Sequence, residues 1–255
     1  MLLAIDVGNS NITLGLYDGP EQLRSWRVET VATRTADEYG LTFERLLCGA
    51  QTDLEAIDGV IVASVVPALT PVMQQLTGNI LNLKAKVVGP GLKTGMPVRY
   101  DPPKDVGADR IVNGVAAFAR YQGACIVVDF GTATTFDSIT AKGEYAGGAI
   151  APGIRISMEA LFHRAAKLPK VDVARPPTVV GKNTVASMQS GIFYGYVGLV
   201  DGLVRRMVAE MGADPVHVVA TGGLAAAIAE TSETIQDVDE DLTLEGLRLI
   251  HALNT

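Results

Sequence analysis

The chain has 255 residues, of which 48% are hydrophobic and 19% charged, enough apolar material for one large packed domain or two smaller ones. Its formal net charge of -7 argues against a broad nucleic-acid or anionic-membrane surface, while leaving room for a local phosphate pocket. The two cysteines, Cys48 and Cys125, are too few for a disulfide framework and sit outside any zinc-ligand spacing, so both are read as buried thiols.

The start of the chain runs through apolar residues straight to Asp6, without the basic region and longer apolar core of a signal peptide, so a cytoplasmic location is expected. Residues 2–6, 11–17 and 23–28 read as the strands of a β-meander, with Asp18-Gly19-Pro20 in a turn. Helix-period apolar residues follow at 35–49 and 67–83, flanking a strand at 59–64 and preceding another at 85–88. A polar segment from Tyr100 to Arg110 leads into an apolar helix at 111–121. Strands at 124–129, 134–139 and 145–151 then repeat the opening meander, with Lys142-Gly143 in a turn. Helical stretches at 154–166 and 183–211, a strand at 216–220, and helices opened at Gly222-Gly223 and Thr243 complete the chain. A boundary near residues 120–123 divides it into halves 1–121 and 122–255. The longest apolar run, 191–200, covers barely half of the ~20 residues a membrane-spanning helix needs.

The first chemical signal is the turn Asp6-Val7-Gly8-Asn9-Ser10-Asn11, which joins strand to strand and so is neither a Rossmann turn nor a Walker loop. Glycine lets main chain approach a phosphate, amides and short polar side chains donate to it, and an aspartate at the strand tip can hold hydrated Mg²⁺. Turns favour Asp and Asn for their own sake. The turn recurs, however, as Asp129-Phe130-Gly131-Thr132-Ala133-Thr134 at a constant offset of 123 residues, which points to internal duplication. A third turn, Ala220-Thr221-Gly222-Gly223, would let the chain pass close to adenine or ribose. In the segment 100–110, Asp105 and Asp109 have the ordinary reading of acids at a helix N-terminus. Arg110 beside Asp109 adds a pair that can hold a small substrate while the carboxylate accepts a hydroxyl proton during phosphoryl transfer. Gly191, Gly195, Gly198 and Gly202 share one helix face, a ridge suited to close approach of another backbone, inside the subunit or across a dimer interface. His163, His217 and His251 have no ligand spacing and read as surface or core residues.

Duplicated acidic phosphate turns resemble those of the actin-like ATPase and sugar-kinase superfamily, which binds nucleotide between two such hairpins. The match then narrows. Asp6-Val7-Gly8-Asn9-Ser10, Gly107-Ala108-Asp109-Arg110, Asp129-Phe130-Gly131-Thr132-Ala133 and Gly181-Lys182-Asn183-Thr184 occur in the order and spacing of type III pantothenate kinases. The chain resembles that family along essentially its full length. The resemblance implies an α/β fold of duplicated ribonuclease-H-like domains, each a mixed sheet starting with a β-meander and flanked by helices. It implies transfer of the ATP γ-phosphate to the 4′-hydroxyl of pantothenate, the first step of coenzyme A synthesis. By the same resemblance, Asp6, Val7, Gly8, Asn9, Ser10, Asn11, Ile12 and Thr13 bind ATP, with Asp6 also holding Mg²⁺ through water, and Thr132 contacts ATP. Asp129 coordinates a monovalent cation, K⁺ or NH₄⁺. Tyr100, Gly107, Ala108, Asp109, Arg110 and Thr184 bind pantothenate, and Asp109 is the proton acceptor. A homodimer is implied, with the pantothenate site at the subunit interface and 183–211 as the long dimerisation helix. Ser10 stands where threonine is also common, keeping the hydroxyl. Two alternatives remain at this level: a catalytically weak relative acting as a regulatory accessory or binding protein, and another enzyme of the superfamily, such as a sugar or acetate kinase or a polyphosphate phosphatase. Intact Asp109 and Asp129 argue against the first, and the short chain with its Gly-x-Asp-Arg motif against the second.

Overall fold

The structure, a computed structural model, describes residues 1–255. The chain forms two compact units, one of residues 1–116 with 241–255, the other of residues 117–240. In the first unit, β1 (Leu2–Val7), β2 (Asn11–Asp18), β3 (Glu21–Glu29), β4 (Gly59–Ser64) and β5 (Lys86–Val87) build one sheet in the order β3-β2-β1-β4-β5. β1 pairs antiparallel with β2 and parallel with β4. Its nearly unbroken apolar run follows from burial on both faces. Leu3, Ile5 and Val7 enter a core with Tyr39, Phe43 and Met73, from α1 (Ala36–Gly49) and α2 (Thr70–Leu81). Leu2 and Ala4 face the opposite way, toward Leu244, Leu247 and Ile250 of α7 (Leu242–Ala252). A capping box starts α1: the Thr35 side chain accepts from Glu38 N, and the Glu38 carboxylate accepts from Thr35 N.

The second unit repeats this plan strand for strand. Here β6 (Cys125–Phe130), β7 (Ala133–Ile139), β8 (Tyr145–Pro152), β9 (His217–Gly222) and β10 (Asp237–Val238) lie in the order β8-β7-β6-β9-β10, with the same parallel and antiparallel pairings. α5 (Thr184–Met211) packs Phe193, Val197, Val200 and Val204 on the face carrying Ile126, Val128 and Phe130. Asp201 on α5 is buried and accepts hydrogen bonds from Ser232 Oγ (2.6 Å), Glu233 N (3.1 Å) and Thr234 Oγ1 (2.8 Å), pinning the loop ahead of β10. Burial alone would raise that carboxyl, but the donors outweigh it and hold it below its ordinary value.

Several expectations change. Residues 241–255 do not belong to the second half: α7 returns to the first unit, because its apolar face fits the otherwise open side of β1 and β4. The division of the chain falls within α3 (Ala108–Tyr121), between Ala116 and Ala117. Cys48 is exposed at the end of α1, and only Cys125 is buried, its thiol pushed up to about 12 by burial. β10, with two residues and no apolar alternation, leaves no periodic trace in the sequence. The helix after Gly222-Gly223, α6 (Ala225–Ala229), has five residues. α4 (Ile154–Arg164) falls where expected. No helix is long and apolar enough to cross a membrane.

Candidate active site

In the first unit, β1 ends at Val7 and the chain reverses into β2. Gly8 N donates to Asn11 O at 3.0 Å, closing the turn. Thr30 ties the same turn to the end of β3, its Oγ1 donating to Gly8 O (2.7 Å) and its N to Ser10 O (3.0 Å). Asn9, Ser10 and Asn11 are exposed, whereas Asp6 and Thr13 are half-buried and stand opposite each other in the β1-β2 register. The side chains of Val7 and Ile12 are sealed in the core, so these two residues offer a ligand main chain only.

Asp109 lies in the same unit. Tyr100 is exposed, and a short 3₁₀ turn at Pro103–Asp105 precedes Gly107, whose carbonyl accepts Ile111 N at the start of α3. Asp109 Oδ1 accepts Arg110 N at 2.8 Å, and a Cβ at Gly107 would lie 2.5 Å from that oxygen. A side chain at position 107 would therefore push the Asp109 carboxylate out of this position. Burial penalises the ionised carboxylate and holds its pKa above the ordinary value; the Arg110 amide and guanidinium act the other way and do not cancel it. The Arg110 side chain is itself buried, 7% exposed. Val65 links this segment to the phosphate turn: its N donates to Val7 O at 3.0 Å, and its Cγ1 would be 3.7 Å from a Gly107 Cβ. Both features thus gather at the carboxyl ends of parallel β1 and β4, where open α/β sheets bind ligands.

Asp129, Thr132 and Thr184 belong to the second unit. The turn after β6 is closed by Gly131 N donating to Ala133 O (3.0 Å), and Thr132 O accepts Gly153 N (3.1 Å). Thr132 is exposed. Asp129 stands opposite Thr135 on β7 and Thr221 on β9. Gly222, at φ +90, passes so close that a Cβ there would lie 2.7 Å from both Asp129 Oδ1 and Phe130 O. Gly222 of the glycine pair thus stands directly beside Asp129. Asp129 Oδ1 and Phe130 O flank this place as oxygen donors only, a set that fits an alkali or ammonium ion and not a soft metal.

Thr184 is the first residue of α5. Asn183 caps the helix, its Oδ1 accepting Ala186 N at 2.9 Å. Beside it lies a cavity of about 740 Å³, lined by Lys182, Thr184 and Ser187 on its polar side and by Leu161, Met188 and Ile192 on its apolar side. The glycine ridge on α5 is not used inside the chain: a Cβ at Gly191, Gly195 or Gly198 would meet no atom within 4 Å. Sequence reasoning missed Thr30 and Val65, which act through main-chain bonds that no motif records.

The chain is similar to known proteins along its length. Residues 2–206 match the family model described as type III pantothenate kinase. Curated type III pantothenate kinases of Geobacter sp. (strain M21) and Citrifermentans bemidjiense are each 59% identical over 254 residues, covering 100% of both chains, and that of Pelobacter propionicus is 56% identical with the same coverage. Among solved structures, a Campylobacter jejuni protein named for the Baf family of transcriptional activators superposes with TM-score 0.61 at 19% identity, covering 99% of this chain and 98% of its own. An inorganic polyphosphate/ATP-glucomannokinase from Arthrobacter sp. strain KM gives 0.55 at 14%, covering 100% and 99%. These structures share the fold of duplicated ribonuclease-H-like domains. Identity of 56–59% over the full length, together with the family model matching residues 2–206, shows that the chain belongs to the type III pantothenate kinase family.

Proposed function

We infer that the chain is an ATP-dependent kinase that phosphorylates the 4′-hydroxyl of pantothenate, giving 4′-phosphopantothenate for coenzyme A synthesis. The observation that carries this reading is Asp109: a carboxylate kept more basic than usual by burial, fixed by its own helix start, and set beside the Asp6 phosphate turn. Phosphoryl transfer depends mainly on alignment and on charge neutralisation, with proton removal a smaller term. Amides and side chains of residues 6–13 cradle the ATP phosphates, and Thr132 is an ATP contact. Asp6 would hold Mg²⁺ through water and Asp129, with Phe130 O, would take K⁺ or NH₄⁺, a positive charge that would offset that of the phosphates. Arg110, Tyr100 and Thr184 fix pantothenate, and Asp109 takes the proton of the attacking hydroxyl. The enzyme works in the cytoplasm as a homodimer, the open glycine ridge of α5 forming the seam, and engages neither nucleic acid nor membrane. Incubation with ATP, Mg²⁺, K⁺ and pantothenate should yield 4′-phosphopantothenate by mass spectrometry. Absence of product with all four present would overturn the reading.

A further inference from the structure

The duplicated sheets allow each polar residue of one unit to be compared with its counterpart in the other. Asp6 and Asp129 correspond, and so do the residues opposite them, Thr13 on β2 and Thr135 on β7. Two residues further along, the units diverge. Opposite Ala4 stands Gly15, and a Cβ there would be 3.0 Å from Leu244 Cδ1, so the first unit fills this place with the apolar face of α7. Opposite Val127, at the matching place, stands Asp137, which is fully buried. Tyr145 OH donates to Asp137 Oδ1 at 2.8 Å, and Thr135 Oγ1 donates to Asp137 Oδ2 at 3.2 Å. The register places Asp129, Thr135 and Asp137 on one face of the sheet.

Sealing a carboxyl group in a sheet is costly unless its partners compensate, and the first unit shows that the same sheet is built without one. What Asp137 adds is orientation. A hydroxyl has one proton to donate and two lone pairs. Once the Thr135 proton is committed to Asp137, the oxygen has only lone pairs left for its other side, the side of Asp129. Thr13, opposite Asp6, has no carboxylate two residues on to hold it in this way.

We propose that Asp137 is a positioning residue for the monovalent-cation site, fixing Thr135 Oγ1 as an oxygen ligand beside Asp129 and Phe130 O. This rests on the reading of Asp129 as the cation ligand, so the test separates the two. Thermal unfolding of the full protein with Mg-ATP is followed as KCl replaces NaCl at constant ionic strength, for wild type, Asp129→Asn, Thr135→Val and Asp137→Asn. Wild type should gain Tm in K⁺ over Na⁺, and Asp129→Asn should lose that gain. Thr135→Val and Asp137→Asn should both raise the K⁺ concentration at half effect by about 10–100-fold, the usual cost of a lost supporting partner. A merely structural role would lower Tm equally in both salts and leave the midpoint in place. Wild-type midpoints in the two variants, with the gain lost in Asp129→Asn, would overturn the positioning role alone. An unaltered K⁺ response in Asp129→Asn would overturn the cation assignment and the proposal with it. If Asp137→Asn does not fold, Thr135→Val decides.

Discussion

The proposed function asks Asp109 to be a base in a place that penalises its charge. The folded state holds its proton more tightly than the unfolded chain does, so stability falls as pH rises from about 3.8 through the higher folded value. Asp109→Asn removes that penalty and keeps an oxygen to accept Arg110 N. Turnover should fall by roughly 10²–10⁴-fold, the range of a lost general base. Tm at pH 7 should stay level or rise; a stabilisation of about 1 kcal/mol is worth about 2–4 °C in a chain of this size. Reduced Tm would show that the ionised carboxylate stabilises the fold on balance. The acid limb of kcat/KM should lie above pH 3.8 and vanish in the variant, and a limb at or below that pH would remove burial from the account. Asp109 and Arg110 were legible from a four-residue motif because both sit at one helix start. Asp137 was not, because its partner Tyr145 comes from the neighbouring strand and the pairing exists only once β7 and β8 lie in register. Cys48 was misread because typical burial of free thiols says nothing about which side of α1 a residue occupies.

At the level of elements, local signals served well where the period was clear. The two meanders, α1 and the start of β4 all follow from apolar runs, helix-period apolar residues and turn residues. α7 was found as a helix but placed in the wrong half, since an amphipathic face states that it needs a partner and not which sheet supplies one. Leu247 is fully buried against β1 and β4. Leu247→Ala should therefore cost about 2–5 kcal/mol, as for other large-to-small changes in a core. Urea unfolding monitored at Trp26 on β3, in the first unit, measures it directly. A loss below about 0.5 kcal/mol would mean that α7 contributes little to that unit. The helix is further held by Thr243 Oγ1 donating to Asn113 Oδ1 at 2.7 Å, and the residues beyond it by Lys86 Nζ donating to Asn254 O at 2.7 Å.

For the whole molecule, the constant spacing of two acidic turns announced a duplication, and the identical strand orders of the two sheets now express it. The glycine ridge was ambiguous in the sequence between internal packing and a dimer seam; with no atom of the chain near Gly191, Gly195 or Gly198, internal packing is no longer an explanation. Gly195→Leu should fit the isolated chain, where it meets no neighbour, and exchange a poor helix former for a good one, a gain of up to about 1 kcal/mol. Sedimentation should show two-chain particles for wild type and single chains for the variant, and a single-chain wild type would sink the dimer. The return of residues 241–255 to the first unit also has a meaning for synthesis on the ribosome. Chains are made from the N-terminus, and domains generally fold as units. Here residues 117–240 emerge with every strand of their own sheet, while Leu2, Ala4 and Ile61 still lack the leucines that cover them. The unit begun first thus closes only after residues 117–240 have been made, because its half-covered sheet depends on residues 241–255.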